Sequence, residues 1–412
     1  MLLGEQRIHP VTRAMSVVAL FLFGLSFLIS TIGIIPSVLD GYSQLYRDGA
    51  ITLPMGSLGY YFLAYALATR PSRGVLYWGG LAGVLLAAQL FLFVPFHSRS
   101  ENYGVYLATL PGLGLGAVAF AYLLFKTLRT PSKTGYSVHL DMLVASLAIF
   151  IAAPAVGTLL HLTTALHPAS FDPAAFRADA LLGFQPSVLY GLLAKTSPYW
   201  LGFFNAVYSL LPFALAALFA RQVSLGYRGP VNMLVFQLVS AITVIFLVYH
   251  LAPVSGPSYL FRASFPDSAF LPAAMPDLAV TGAVPRNGVP SMHFGWALAL
   301  WLNAHLIGAP RFRLFYAVFV GLTFAATLVM GQHYLVDLAA SPPFILFLQA
   351  LCTRGLPALH PSRVKWIGVG MGLTLFWVMI VRHAGRPFDL IPGGMWLTII
   401  ASTAVSVYFI RD

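Results

Sequence analysis

The chain has 412 residues, of which 59% are hydrophobic and only 8% charged. A soluble domain carries about 25% charged residues, so the composition excludes a soluble globular protein and indicates an integral membrane protein. The net charge of +11 is read as basic cytoplasmic loops rather than nucleic-acid binding. The single cysteine, Cys352, excludes an internal disulfide framework and a cysteine-rich metal site.

The apolar runs are continuous rather than alternating. They suit helices crossing a hydrocarbon core about 30 Å thick and argue against a β-barrel. Met1–Pro10 carries no cleavable signal, so the run from Met15 reads as a retained first span. Twelve spans are predicted, at 15–37, 51–69, 74–96, 104–125, 140–162, 199–220, 231–252, 291–308, 314–331, 333–352, 366–382 and 393–410. With a cytoplasmic N-terminus, the inner loops hold fifteen of the 23 Lys and Arg residues, among them Arg70, Lys126, Arg221, Arg311, Arg363 and Lys365. Every inner loop then carries a positive charge, as the positive-inside rule requires.

Two outer segments are longer than a connection needs. The first, 163–198, contains Phe171-Asp172-Pro173 and a series of apolar residues from Phe176 to Leu192. With Pro173 near a helix start, it reads as an amphipathic helix on the membrane surface. The second, 253–290, is rich in Pro, Gly and Ser. Long ordered loops of this kind act as walls or lids of sites.

This second loop leads into Asn287-Gly-Val-Pro-Ser-Met-His293, and a later border reads Gly331-Gln-His333-Tyr-Leu-Val-Asp337. Ionisable residues where apolar runs meet polar loops are functional candidates by default. His333 and Asp337, four apart, share one helical face. A carboxylate there holds a proton on one ring nitrogen and leaves the other as a nucleophile. Such a pair also serves simply to satisfy two polar groups. Ser291 is a natural N-cap that puts His293 in a first helical turn, where free N–H groups favour phosphate. An imidazole there can protonate a departing oxygen. Two such termini on one face favour a joint site. Arg262 and Arg286, in the preceding loop, pair well with phosphate oxygens, or equally with lipid headgroups or solvent. Tyr249, His250 and Gly256-Pro257-Ser258-Tyr259 either line the pocket or form a structural turn. Polar groups at span ends rather than at the midplane argue against a transporter.

These residues resemble the type-2 phosphatidic acid phosphatase superfamily, through Pro290-Ser291-Met292-His293 and Gly331-Gln332-His333-Tyr334-Leu335-Val336-Asp337. Within it, Pro-Ser-x-His-x-Gly through Gly295 and His-Tyr-x-x-Asp are similar to the inositol phosphorylceramide synthase and sphingomyelin synthase branch. The resemblance covers about half the chain and implies a six-helix catalytic core, within an all-α polytopic fold of about twelve spans read from the apolar runs. That core is 139–352, preceded by a four-helix region, 1–138, and followed by a two-helix region, 353–412. It implies His333 as nucleophile, Asp337 as its orienting carboxylate and His293 as general acid. No metal or other cofactor is expected. The phosphatase branch carries a Lys and an Arg-Pro in its first motif, which have no match here. It also has an Arg six residues before the nucleophile, where this chain has Thr327. Arg262, Arg286, Ser291 and Tyr259 are the substitutes for substrate binding.

The expected activity is transfer of a phosphorylated headgroup from a phospholipid donor to a lipid alcohol acceptor through a phosphohistidine. The alternative is a phosphatase of lipid phosphates or polyprenyl diphosphates, in which water resolves the intermediate. The chain contains no Asn-x-Ser/Thr sequon, which favours a bacterial inner membrane over a Golgi membrane. The loop charges place the site on the periplasmic or lumenal face.

Overall fold

The computed structural model describes residues 59–93 (apart from 61, 65 and 68), 103–129, 160–267 (apart from 161, 226 and 227), 280, and 284–411 (apart from 309, 354 and 355). Among these residues every regular element is helical. The predicted spans at 15–37, 51–69 and 140–162 lie wholly or largely outside the described residues.

The chain forms two compact units. In the first, α1 (Arg73–Phe93) packs along α2 (Tyr103–Arg129). Small residues bring the two helices close: a side chain at Gly114 would meet the Gly83 carbonyl and Ala87. Such residues let helix backbones approach in a bilayer, where apolar burial alone does not drive association.

The second unit, drawn from 159–234, 244–355 and 359–412, carries the candidate site. Its helices are α3 (Asp172–Ala180), α4 (Pro186–Lys195), α5 (Pro198–Ser209), α6 (Leu211–Ser224), both ends of α7 (Arg228–Leu251), α8 (Pro257–Phe261), α9 (Met292–Leu306), α10 (Pro310–Val329), α11 (Leu335–Ala339), α12 (Ser341–Cys352), α13 (Pro361–Arg382) and α14 (Gly394–Arg411). Helix α12 touches α9, α13 and α14, while α10 touches α4, α5 and α9. The run Leu335–Cys352 is the central one. Its apolar stretch is 89% buried within the protein, against 39% for Pro310–Val329 and 33% for Pro361–Arg382. Its start carries the second histidine motif, so the most enclosed of these three runs is also the one that carries a candidate site motif.

Four helices among the described residues are long and apolar enough to cross a membrane: Pro111–Arg129, Pro310–Val329, Leu335–Cys352 and Pro361–Arg382. The predicted span 199–220 is instead broken. Tyr199–Ser209 and Leu211–Gln222 meet at 42°, and the pair makes a fifth candidate if it crosses as one. Pro212 supplies the reason. A proline inside a helix lacks the N–H and clashes with the carbonyl four residues back, here that of Tyr208. Both α3 and α4 begin with a proline in the first turn, where the missing N–H costs nothing.

Candidate active site

The two histidine motifs meet where α9 and α11 begin. Ser291 occupies the N-cap position of α9 in an extended conformation, so His293 sits in the first turn as predicted. The serine hydroxyl makes no capping bond, however. It is buried without a hydrogen-bond partner. The Ser291 N–H instead donates to the Asp337 carbonyl at 3.1 Å. The Ser341 hydroxyl ties both termini together, donating to the carbonyls of Ser291 at 2.8 Å and of Asp337 at 3.2 Å.

His333 and Asp337 come together, though not along a helix as their spacing suggested. Helix α11 starts only at Leu335, with Tyr334 as its N-cap. Asp337 reaches back, and its Oδ2 accepts the Tyr334 N–H at 2.9 Å. The same oxygen lies 3.4 Å from His333 Nδ1, with both side chains buried. That separation is longer than a good hydrogen bond, as catalytic pairs often are before substrate tightens them. The His333 ring also meets the backbone of Gly288. His293 is half-buried and within electrostatic reach of His333. Its Nδ1 bonds the Tyr208 hydroxyl at 2.8 Å, and the two rings stack with centroids 3.7 Å apart. Tyr208 itself lies within electrostatic reach of Tyr249 and Tyr259.

Two buried carboxylates on α3 brace this centre. Asp172 and Asp179 stand seven residues apart, on the same buried face as Phe176. Asp179 accepts the N–H groups of Leu335 at 2.8 Å and Val336 at 3.0 Å, the first turn of α11. Burial pushes its carboxyl up to about 8, against the pull of those two N–H groups, and the nearby Asp337 adds to the rise. Asp172 accepts the N–H of Gly256 at 2.7 Å and of Ser255 at 3.0 Å, and the Tyr334 hydroxyl at 3.2 Å. Burial raises its carboxyl too, opposed first by the Gly256 N–H. The sequence predicts a membrane-surface helix in the segment 163–198. In the structure the inner face of its first helix clamps the site.

The start of α8 and the glycine before it pass close beside the second motif. The Ser258 N–H donates to the Gly331 carbonyl at 2.8 Å, and the Tyr259 hydroxyl donates to Gln332 Oε1 at 3.1 Å. Gly256 has φ +132, and a side chain there would strike the Gln332 carbonyl. Only glycine accepts both demands. The hydroxyls of Ser258 and Ser291, His333 Nδ1 and Asp337 Oδ1 are all buried without hydrogen-bond partners. Unpaired polar atoms of this kind cost free energy in the folded protein and call for an explanation.

The sequence predicts four residues for substrate binding. Ser291 and Tyr259 are at the centre just described. Arg286 is fully buried, and its guanidinium is engaged by the protein. Nε donates to the His167 carbonyl, Nη1 to the Ser255 hydroxyl, and Nη2 to the carbonyls of Pro168 and Val280. It reaches the centre through Ser255, whose N–H Asp172 accepts. Arg262 ends α8 at φ +52 and is exposed. The sequence alone does not single out Tyr208, Asp172 or Asp179 as site residues. For the aspartates a signal existed: two carboxylates seven apart, on one helical face with Phe176. Nothing local marks Tyr208.

Comparison with curated proteins and with solved structures gives no match. Residues 173–351, the stretch from the first turn of α3 to the end of α12, match the family model described as the PAP2 superfamily. That match supports the type-2 phosphatidic acid phosphatase superfamily for the segment that builds this centre, and with it an enzyme of the phosphatase or phosphotransferase kind.

Proposed function

We propose that the chain is a membrane lipid phosphotransferase similar to inositol phosphorylceramide synthase. It moves a phosphorylated headgroup from a phospholipid to a lipid alcohol. The observation that carries this reading is His333 Nδ1 facing Asp337 Oδ2 at 3.4 Å, with His293 beside them. In the proposed reaction, the other ring nitrogen of His333 attacks phosphorus. The bond from phosphorus to the glycerol oxygen breaks, and His293 gives that oxygen a proton. Asp337 balances the charge that the phosphorylated ring acquires. The acceptor hydroxyl then gives its proton to His293 as its oxygen attacks phosphorus, and His333 is released. The unpartnered hydroxyls of Ser258 and Ser291, with Tyr259, are assigned to the phosphate oxygens. Arg286 holds the loop through Ser255.

The first-motif Lys and Arg-Pro of the phosphatase branch have no counterpart here, and Thr327 stands where that branch has an arginine. This supports transfer over hydrolysis. The proposed architecture has twelve spans, a six-helix core at 139–352 with flanking regions 1–138 and 353–412, and a site opening on the periplasmic or lumenal face.

The test is to place purified protein in liposomes of labelled phospholipids, with and without ceramide, and to identify products by mass spectrometry. A headgroup-bearing ceramide, formed only when ceramide is supplied, is the expected product. Release of inorganic phosphate from phosphatidate at a rate indifferent to added alcohols would favour the phosphatase reading.

A further inference from the structure

We infer that Tyr208 is the positioning residue of His293, holding its ring so that Nε2 alone serves both proton transfers. The inference rests on the functional reading above and specifies how its acid and base step is set up. An imidazole has two nitrogens, and which of them carries the proton follows from what the other one bonds. Nδ1 of His293 is committed to the Tyr208 hydroxyl at 2.8 Å. The stacked rings, inclined by only 21°, fix the plane of the imidazole. Nε2 is left as the nitrogen that faces substrate.

A hydroxyl suits this place better than a carboxylate. Its oxygen accepts from Nδ1–H whether the ring is neutral or protonated, so the proton that comes and goes is the one on Nε2. The ring therefore keeps one orientation while it gives a proton to the departing glycerol oxygen. It keeps the same orientation when it takes a proton from the acceptor hydroxyl, so the proton count closes over the cycle. An ionised carboxylate would also accept from Nδ1–H, but its negative charge would favour the protonated ring throughout.

The fold delivers Tyr208 to this position through a backbone break. Tyr208 is the penultimate residue of α5, at the 42° bend before α6. Pro212 forbids a straight helix because its ring would press on the Tyr208 carbonyl. Leu210 turns instead, its N–H donating to the carbonyls of Ala206 and Val207. Broken helices inside membrane proteins are tolerated where the freed backbone is buried or lines a cavity. Here the break sits beside the two histidines.

The experiment compares single-turnover diacylglycerol release from liposomal phosphatidate and phosphatidylinositol with release from the same lipids bearing sulfur in place of the bridging glycerol oxygen. A thiolate leaves without needing a proton, so the sulfur lipids bypass the acid. Tyr208→Phe keeps the stacked ring and removes only the hydroxyl. It should lower release from the oxygen lipids by about 10-fold or more, a fraction of the ~10²–10⁴ a general acid supplies. The deficit should shrink several-fold with the sulfur lipids. His293→Ala and the double variant should release at the same rate, since Tyr208 acts only through His293. An equal deficit on oxygen and sulfur lipids, no deficit at all, or a further loss in the double variant would overturn the inference. His333→Ala separates this from the underlying reading. If it turns over both kinds of lipid normally, or if the wild type turns over neither, the phosphohistidine reading falls and the inference with it.

Discussion

At the scale of single residues, the proposed reaction gives different work to groups of the same type. His333 faces a carboxylate oxygen at 3.4 Å, while His293 faces a phenol hydroxyl at 2.8 Å. A carboxylate stabilises the cationic ring that a nucleophile becomes, and a hydroxyl serves a ring that alternates between two states. His333→Ala should therefore abolish turnover while leaving the protein monodisperse in detergent. Asp337→Asn should lower the rate by orders of magnitude, because it loses the charge opposite the phosphorylated ring. Near-normal release of diacylglycerol by either variant would contradict these roles. The aspartates of α3 act at the same scale. Asp179 is raised from 3.8 to about 8, so between these values the folded chain holds a proton that the unfolded chain has lost. Stability then falls as pH rises through that window and levels off above about 8. Asp179→Asn should flatten this slope in thermal melts between pH 5 and 9. An unchanged slope would show that Asp179 is not the titrating group.

At the scale of elements, much of the site was legible because helix ends have local signals. Ser291 after Pro290 marked the start of α9, and Pro173 marked that of α3. The spacing of His333 and Asp337 foretold their meeting, although a loop-to-helix junction brings it about rather than a helical turn. What stayed hidden depends on partners remote in the chain. Tyr208 and His293 are 85 residues apart, and Asp172 and Tyr334 are 162 apart. No periodicity reports such pairs. Arg286 illustrates the same limit: a loop arginine near a candidate phosphate site looks free until its carbonyl partners at His167, Pro168 and Val280 are seen. The proline at 212 was visible in the sequence, but the apolar run through it was long enough to read as one span. Gly256 offers a test of the junction itself. Alanine there would adopt a backbone conformation costing about 1–3 kcal/mol and would also press on the Gln332 carbonyl. Gly256→Ala should lower both the melting temperature and the turnover rate. Wild-type values for both would mean that the close approach of this loop is dispensable.

At the scale of the whole molecule, the loop charges predict that the site opens on the face opposite the basic loops. Leu390, between α13 and α14, and Leu359, before α13, are both highly exposed and fall on opposite sides in the predicted topology. The native Cys352 is buried, so new cysteines can be read against a quiet background. Leu390→Cys should react with a membrane-impermeant maleimide on intact cells, and Leu359→Cys only after permeabilisation. The reverse pattern would invert the topology and move the reaction to the cytoplasmic side.

Everything in the proposed mechanism turns on His333 carrying the transferred phosphoryl group covalently. Acid-labile, base-stable label is the signature of a phosphorus–nitrogen bond. The decisive measurement is rapid quenching of the protein during turnover of phosphorus-labelled phospholipid, followed by peptide mapping under alkaline conditions. Label should appear on the peptide containing His333 and be absent from His333→Ala. Label on another residue, or turnover with no labelled protein at any quench time, would contradict the mechanism.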